Sequence, residues 1–181
     1  DAVENAVFYP TVVFTNNSIR NNRARGCLFT TPLDVVVEDN FFDYTSGSAL
    51  LLAGDAANWY ESGSCKKVII RNNKIVNALT SSYQFTNAIF SFAPTVSDIK
   101  QQAVSYHRNV LIEGNEIETF DVPLLYAISS EKVEFVNNRI KYNNDFPSWG
   151  QRPFKFNKVK NISIGGNQIT PEKEFTIDDV S

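Results

Sequence analysis

The sequence predicts an all-β fold: a right-handed parallel β-helix, or solenoid, of about six coils, forming part of a longer helix. Three observations predict it. An eight-residue motif recurs six times without gaps, one of its positions is asparagine in every copy, and antiparallel hairpin signals are missing.

The copies occupy 12–19, 35–42, 68–75, 110–117, 133–140 and 162–169. Positions 1, 3 and 8 are apolar throughout, as in Val68, Ile70 and Ile75, and position 6 is Asn17, Asn40, Asn73, Asn115, Asn138 or Asn167. Alternation over the first positions reads as a short strand with two side chains facing inward. Gly, Asn or Asp at position 5, followed by Asn, marks a sharp turn, because these residues tolerate left-handed backbone. The asparagines are 23, 33, 42, 23 and 29 residues apart, a period typical of repeat folds, with the longer intervals carrying loops. Each interval holds a further apolar stretch (27–29, 49–52, 88–92, 124–127 and 154–156), so each coil supplies at least two strands. Stacked at roughly 4.8 Å, six coils stand about 29 Å tall, with the asparagines forming an internal amide ladder. An antiparallel sandwich needs Asn-Gly or Asp-Gly turns, and a leucine-rich repeat needs spaced leucines and helices; neither pattern occurs. The β-helix therefore covers 1–169, and the charged stretch 170–181 is a cap or a frayed tail.

Composition agrees. With 181 residues and 43% hydrophobic content, the chain is one domain with a core and not a disordered polymer. Twenty asparagines disfavour helices, while 14 phenylalanines and many Val and Ile favour strands. A net charge of −3 without a basic block argues against nucleic-acid partners. No apolar run is long enough to span a membrane, and no signal peptide opens the chain. The absence of methionine suggests processing or excision from something longer. Cys27 and Cys65 are too few for a disulfide framework and read as two thiols, with one bridge as the alternative.

Chemistry concentrates between the second and third copies, in Gly54-Asp55-Ala56-Ala57-Asn58-Trp59-Tyr60-Glu61-Ser62-Gly63. Two carboxylates beside an aromatic platform suit sugar chemistry: acids for proton transfer and a ring for the apolar sugar face. A bulged turn with solvated acids and a packed Trp59 is the competing reading. Arg25, in Asn22-Arg23-Ala24-Arg25-Gly26, can hold a sugar hydroxyl or orient a carboxylate, or can simply balance nearby acids. His107 is the lone histidine, and without metal-ligand companions it reads as structural. Asp121 reads as a turn cap. No spacing suggests a metal site, a phosphate loop or a serine nucleophile, so no cofactor is expected.

Taken in order, Asn22-Arg23-Ala24-Arg25-Gly26, Gly54-Asp55-Ala56, Trp59-Tyr60-Glu61-Ser62-Gly63, Tyr106-His107-Arg108-Asn109 and Pro123-Leu124-Leu125-Tyr126-Ala127 resemble glycoside hydrolase family 110. The likeness runs from about Pro10 to Ile169. It implies a parallel β-helix and an inverting exo-α-galactosidase acting on terminal α-1,3-linked galactose. The implied partners are galactose-terminated glycans, and the implied location is secreted, periplasmic or cell-surface. The family's Asp-Asp-Ala-Ile-Asn-Val-His-Gly-type motif does not occur here. The chain therefore reads as the C-terminal part of such an enzyme, inactive in isolation, with Arg25, Asp55, Trp59 and Glu61 as substrate-binding residues. The catalytic residues are left open, with Asp55 and Glu61 as candidates. Ala57 departs from the pattern, where an amide is expected. Self-association through the segment 1–19 is a further expectation. Two alternatives stand beside this reading: a non-catalytic carbohydrate-binding or structural β-helix, and a polysaccharide lyase or pectinase relative, which the missing acid and basic clusters disfavour.

Overall fold

The computed structural model describes residues 5–55, 59, 61, 63–81, 86–172 and 177–180. A 3-10 turn (Ala6–Phe8) precedes β1 (Val12–Thr15), β2 (Ser18–Arg20) and β3 (Cys27–Phe29). The next two repeats give β4 (Asp34–Glu38), β5 (Phe41–Asp43), β6 (Leu50–Leu52), β7 (Lys67–Arg71), β8 (Lys74–Val76) and β9 (Phe90–Phe92). Then follow β10 (His107–Glu113), β11 (Glu116–Thr119), β12 (Leu125–Val136), β13 (Arg139–Tyr142), β14 (Phe154–Gly165), β15 (Gln168–Thr170) and β16 (Ile177–Val180).

The chain is all-β, and its strands pair in parallel in two sheets. The first half of each motif builds one stack, β1-β4-β7-β10-β12, and the second half builds the other sheet, β2-β5-β8-β11-β13-β15. The extra apolar stretches form the stack β3-β6-β9, which joins the first sheet because β12 is long enough to serve both. Its residues 125–127 pair with β9 and its residues 133–136 with β10. Motif position 1 is in register through all six copies: Val12, Val35, Val68, Val110, Val133 and Ile162 are successive partners. In the tail, β16 lies parallel beside β14, so this part of 170–181 is a paired strand.

The turn divides its work between two residues. Position 5 takes the left-handed conformation in every copy: Asn16, Asp39, Asn72, Gly114, Asn137 and Gly166 have φ between 53° and 66°. That frees the position-6 side chains to stack inward. Their Nδ2 groups donate to the next Oδ1 along the chain Asn17, Asn40, Asn73, Asn115, Asn138, Asn167 at 3.0, 3.0, 2.9, 2.9 and 3.1 Å.

Positions 1, 3 and 8 are sealed from water in the four middle copies, for example Val35, Val37, Val68, Ile70, Val133 and Phe135. In the outer copies Val12, Phe14, Ile19, Ile162, Ile164 and Ile169 are only half-buried, because among the described residues these stretches are paired on one side alone. Ile70→Ala is expected to cost about 2–5 kcal/mol, since the side chain is 1% exposed and close-packed. Urea unfolding checks this, and a loss below about half a kcal/mol would mean the inward face is misread.

Candidate functional site

The loop after β6 begins at Gly54 and folds back on itself. The Asp55 amide donates to the Glu61 carbonyl at 2.7 Å, and the Glu61 amide donates to the Asp55 carbonyl at 3.0 Å. This is the lone antiparallel bridge outside the named strands among the described residues. Residues paired in this way stand about 5.5 Å apart at Cα and send their side chains to the same face. Asp55 and Glu61 are half-buried, while Trp59 is 78% exposed. Two glycines seat the hairpin. A Cβ on Gly54 would strike the ring and hydroxyl of Tyr106, and one on Gly63 would fall on the Thr30 carbonyl. Thr95 closes the base by donating its amide to the Gly54 carbonyl at 2.7 Å. Two acids on paired backbone and an exposed indole in the same loop can accept sugar hydroxyls beside a stacking surface. Residues 56–58, 60 and 62, and with them the Ala57 departure, lie outside the described residues.

Arg25 is placed elsewhere. It precedes β3, whereas Asp55 follows β6, and Cys27 pairs with Leu50. Arg25 is thereby level with Ser48, seven positions before Asp55, or up to about 23 Å along extended chain. Arg25 and Asp55 thus lie toward opposite ends of the paired strands β3 and β6. The Arg25 side chain is half-buried and makes no ion pair among the described residues.

His107 is structural. It is fully buried, its Nδ1 accepts from the Cys65 amide at 3.2 Å, and the Tyr106 ring meets it edge-on at 5.0 Å. Burial lowers its pKa from 6.5 to about 3, so the ring is neutral; the Leu52 carbonyl opposes this in part. No hydrogen bond of good geometry reaches Nε2 among the described residues, so the Leu52 effect is that of a nearby dipole. Cys27 and Cys65 are free thiols, and burial pushes Cys65 up to about 12 against a smaller opposing backbone contact at Thr31.

Sequence reasoning missed a second feature, the loop between β13 and β14. Its Trp149 amide donates to the Asp121 carbonyl at 2.9 Å, and Ser148 donates to the Asp121 carboxylate. Asp121 thus holds a neighbouring loop as well as standing in its own turn. Phe120, Phe146 and Trp149, with Thr80 and Ser81, line a groove of about 280 Å³. The signal available was Phe146-Pro147-Ser148-Trp149-Gly150, lying in the interval of 29 residues.

By fold the chain is an all-β protein of parallel strands. A protein named alpha-1,3-galactosidase B from Akkermansia muciniphila is 59% identical over 179 residues, covering 99% of this chain and 22% of that protein. Alpha-1,3-galactosidase B of Parabacteroides distasonis is 47% identical over 167 residues, 91% of this chain and 27% of its own length. Alpha-1,3-galactosidase A of Bacteroides fragilis is 36% identical over 174 residues, 95% of this chain and 28% of its own length. The chain is homologous, along nearly its whole length, to a segment of proteins named alpha-1,3-galactosidase. It spans about a quarter of the length of the curated relatives it matches. No family model matches the chain.

Proposed function

We propose that this chain is a right-handed parallel β-helix over 1–169, capped by 170–181, and that it forms the C-terminal portion of an inverting α-galactosidase. The substrate is a terminal α-1,3-linked galactose on a glycan. The observation that carries this reading is the 59% identity to an alpha-1,3-galactosidase over 99% of the chain. The Asp55–Glu61 hairpin supplies acceptors for sugar hydroxyls and Trp59 a stacking face, while Arg25 serves from its own corner. Proton transfer falls to carboxylates outside this segment, because the family's paired-aspartate motif is not in it. The location that fits such a substrate is secreted, periplasmic or cell-surface. No helix among the described residues is long and apolar enough to cross a membrane.

Turnover tests the proposal. The purified 181-residue chain should release no galactose from an α-1,3-linked galactobiose, whereas a chain with the full length of its relatives should. Release by the 181-residue chain alone would overturn the divided active site. In the full-length enzyme, Glu61→Gln should lower kcat/KM roughly 10- to 100-fold, the loss of charged hydrogen bonds to substrate, with unchanged melting. The backbone bridge to Asp55 survives that substitution.

A further inference from the structure

We infer that the groove between Phe120, Phe146 and Trp149 is a second saccharide-binding subsite, which takes the chain of a neutral glycan and not its terminal galactose. The inference rests on the galactoside reading above for its substrate class, and on the groove for its place.

The groove is preformed. Phe146 lies against Phe120 at 5.0 Å between ring centres and against Tyr44 at 6.1 Å, which fixes its plane. The loop that carries Phe146 and Trp149 is pinned at several points. The Asn143 amide donates to the Thr119 carbonyl at 2.7 Å, and Asn143 Nδ2 donates to Asn77 Oδ1 at 3.0 Å. The fully buried Asn77 in turn donates to the Asp145 carboxylate at 2.7 Å. A rigid aromatic wall costs little entropy on binding. At about 280 Å³ the groove is at the small end of ligand sites, sized for one or two sugar rings and not for a folded partner.

Its chemistry selects against charge. The lining residues are the three aromatic rings, Pro147 and the hydroxyl residues Thr80, Ser81 and Ser148. Among the described residues no charged side chain lines it, so an anionic ligand finds no counter-charge, whereas a neutral polyol finds hydroxyls around a stacking face. The groove also sits at the corner that Arg25 occupies. Gly47 donates to the Ala24 carbonyl, Thr80 to that of Thr45, and Asn143 to that of Thr119, so this corner is continuous along the stack. Arg25 and the groove are separated along it by two to four strand spacings, roughly 10–19 Å.

Fluorine NMR of the chain labelled with 5-fluorotryptophan tests this, because it reports separately on Trp59 and Trp149, the two tryptophans. An α-1,3-galactosyl oligosaccharide should shift the Trp149 resonance, free galactose should not, and Trp149→Ala should weaken oligosaccharide binding about tenfold. Trp149→Phe should retain most of that affinity, which separates a lost stacking face from a collapsed loop. A shift at Trp59 with Trp149 silent would overturn the groove and leave the galactoside reading standing. A shift at Trp149 with maltotriose but not with galactosides would uphold the groove and overturn that reading. Silence at both, or a Trp149 shift that depends only on protein concentration, would overturn the subsite, the latter assigning the groove to a second copy of the chain.

Discussion

Asn73→Ala is expected to lower the unfolding free energy by roughly 3–6 kcal/mol, far more than the same change at Asn17. Asn73 is 1% exposed and its amide is saturated. Oδ1 accepts from both the backbone and side-chain nitrogens of Asn40 at 3.0 Å, while Nδ2 donates to Val37 and Arg71 carbonyls at 2.9 and 3.0 Å and to Asn115 at 2.9 Å. Alanine strands several of these partners where water cannot replace the lost bonds, at about 1–3 kcal/mol each. Asn17 is exposed, so water can take over, and Asn17→Ala should cost about 1 kcal/mol or less. Urea unfolding of the two variants decides it: equal losses would contradict a burial-dependent ladder.

Acid should unfold the protein partly through His107. Its pKa lies at about 3 in the folded chain and 6.5 in the ordinary range, so between these values the unfolded state binds the extra proton. Stability is therefore whole above about pH 6.5, falls as pH drops, and has lost this contribution fully near pH 3. At about 1.4 kcal/mol per pH step the total is on the order of 4–5 kcal/mol. His107→Asn keeps an acceptor for the Cys65 amide and removes the titration. The variant should start less stable at neutral pH and lose less on acidification. Parallel stability curves for the two proteins would assign the acid loss to other groups.

Much of the fold was legible because its rules are local. Strand, turn and inward asparagine fall within eight residues, and the spacing alone fixes which side chains face in, as Val68 and Ile70 do. The division between a left-handed position 5 and a stacking position 6 was less legible, since Asn suits both roles. The sites were harder still. Nothing in the spacing of Asp55 and Glu61 announces that their backbones bond to each other, because the hairpin is fixed from outside by Tyr106 and Thr30. Where Arg25 stands relative to them depends on how β3 and β6 register, a long-range fact. The aromatic groove draws Thr80, Phe120 and Trp149 from three repeats, so no window of sequence contains it.

The asparagine ladder has a direction. Each bond between ladder asparagines runs one way, from the Nδ2 of the earlier repeat to the Oδ1 of the later one, so these bond dipoles add head to tail and polarise one another. The stack is therefore vectorial, with the Asn17 oxygen at one end and the Asn167 amide at the other. Two copies meeting by a two-fold axis at their first repeats would bring acceptor against acceptor. Continuation of the ladder between molecules would require a head-to-tail joint, the heterologous geometry that produces open filaments and not closed dimers.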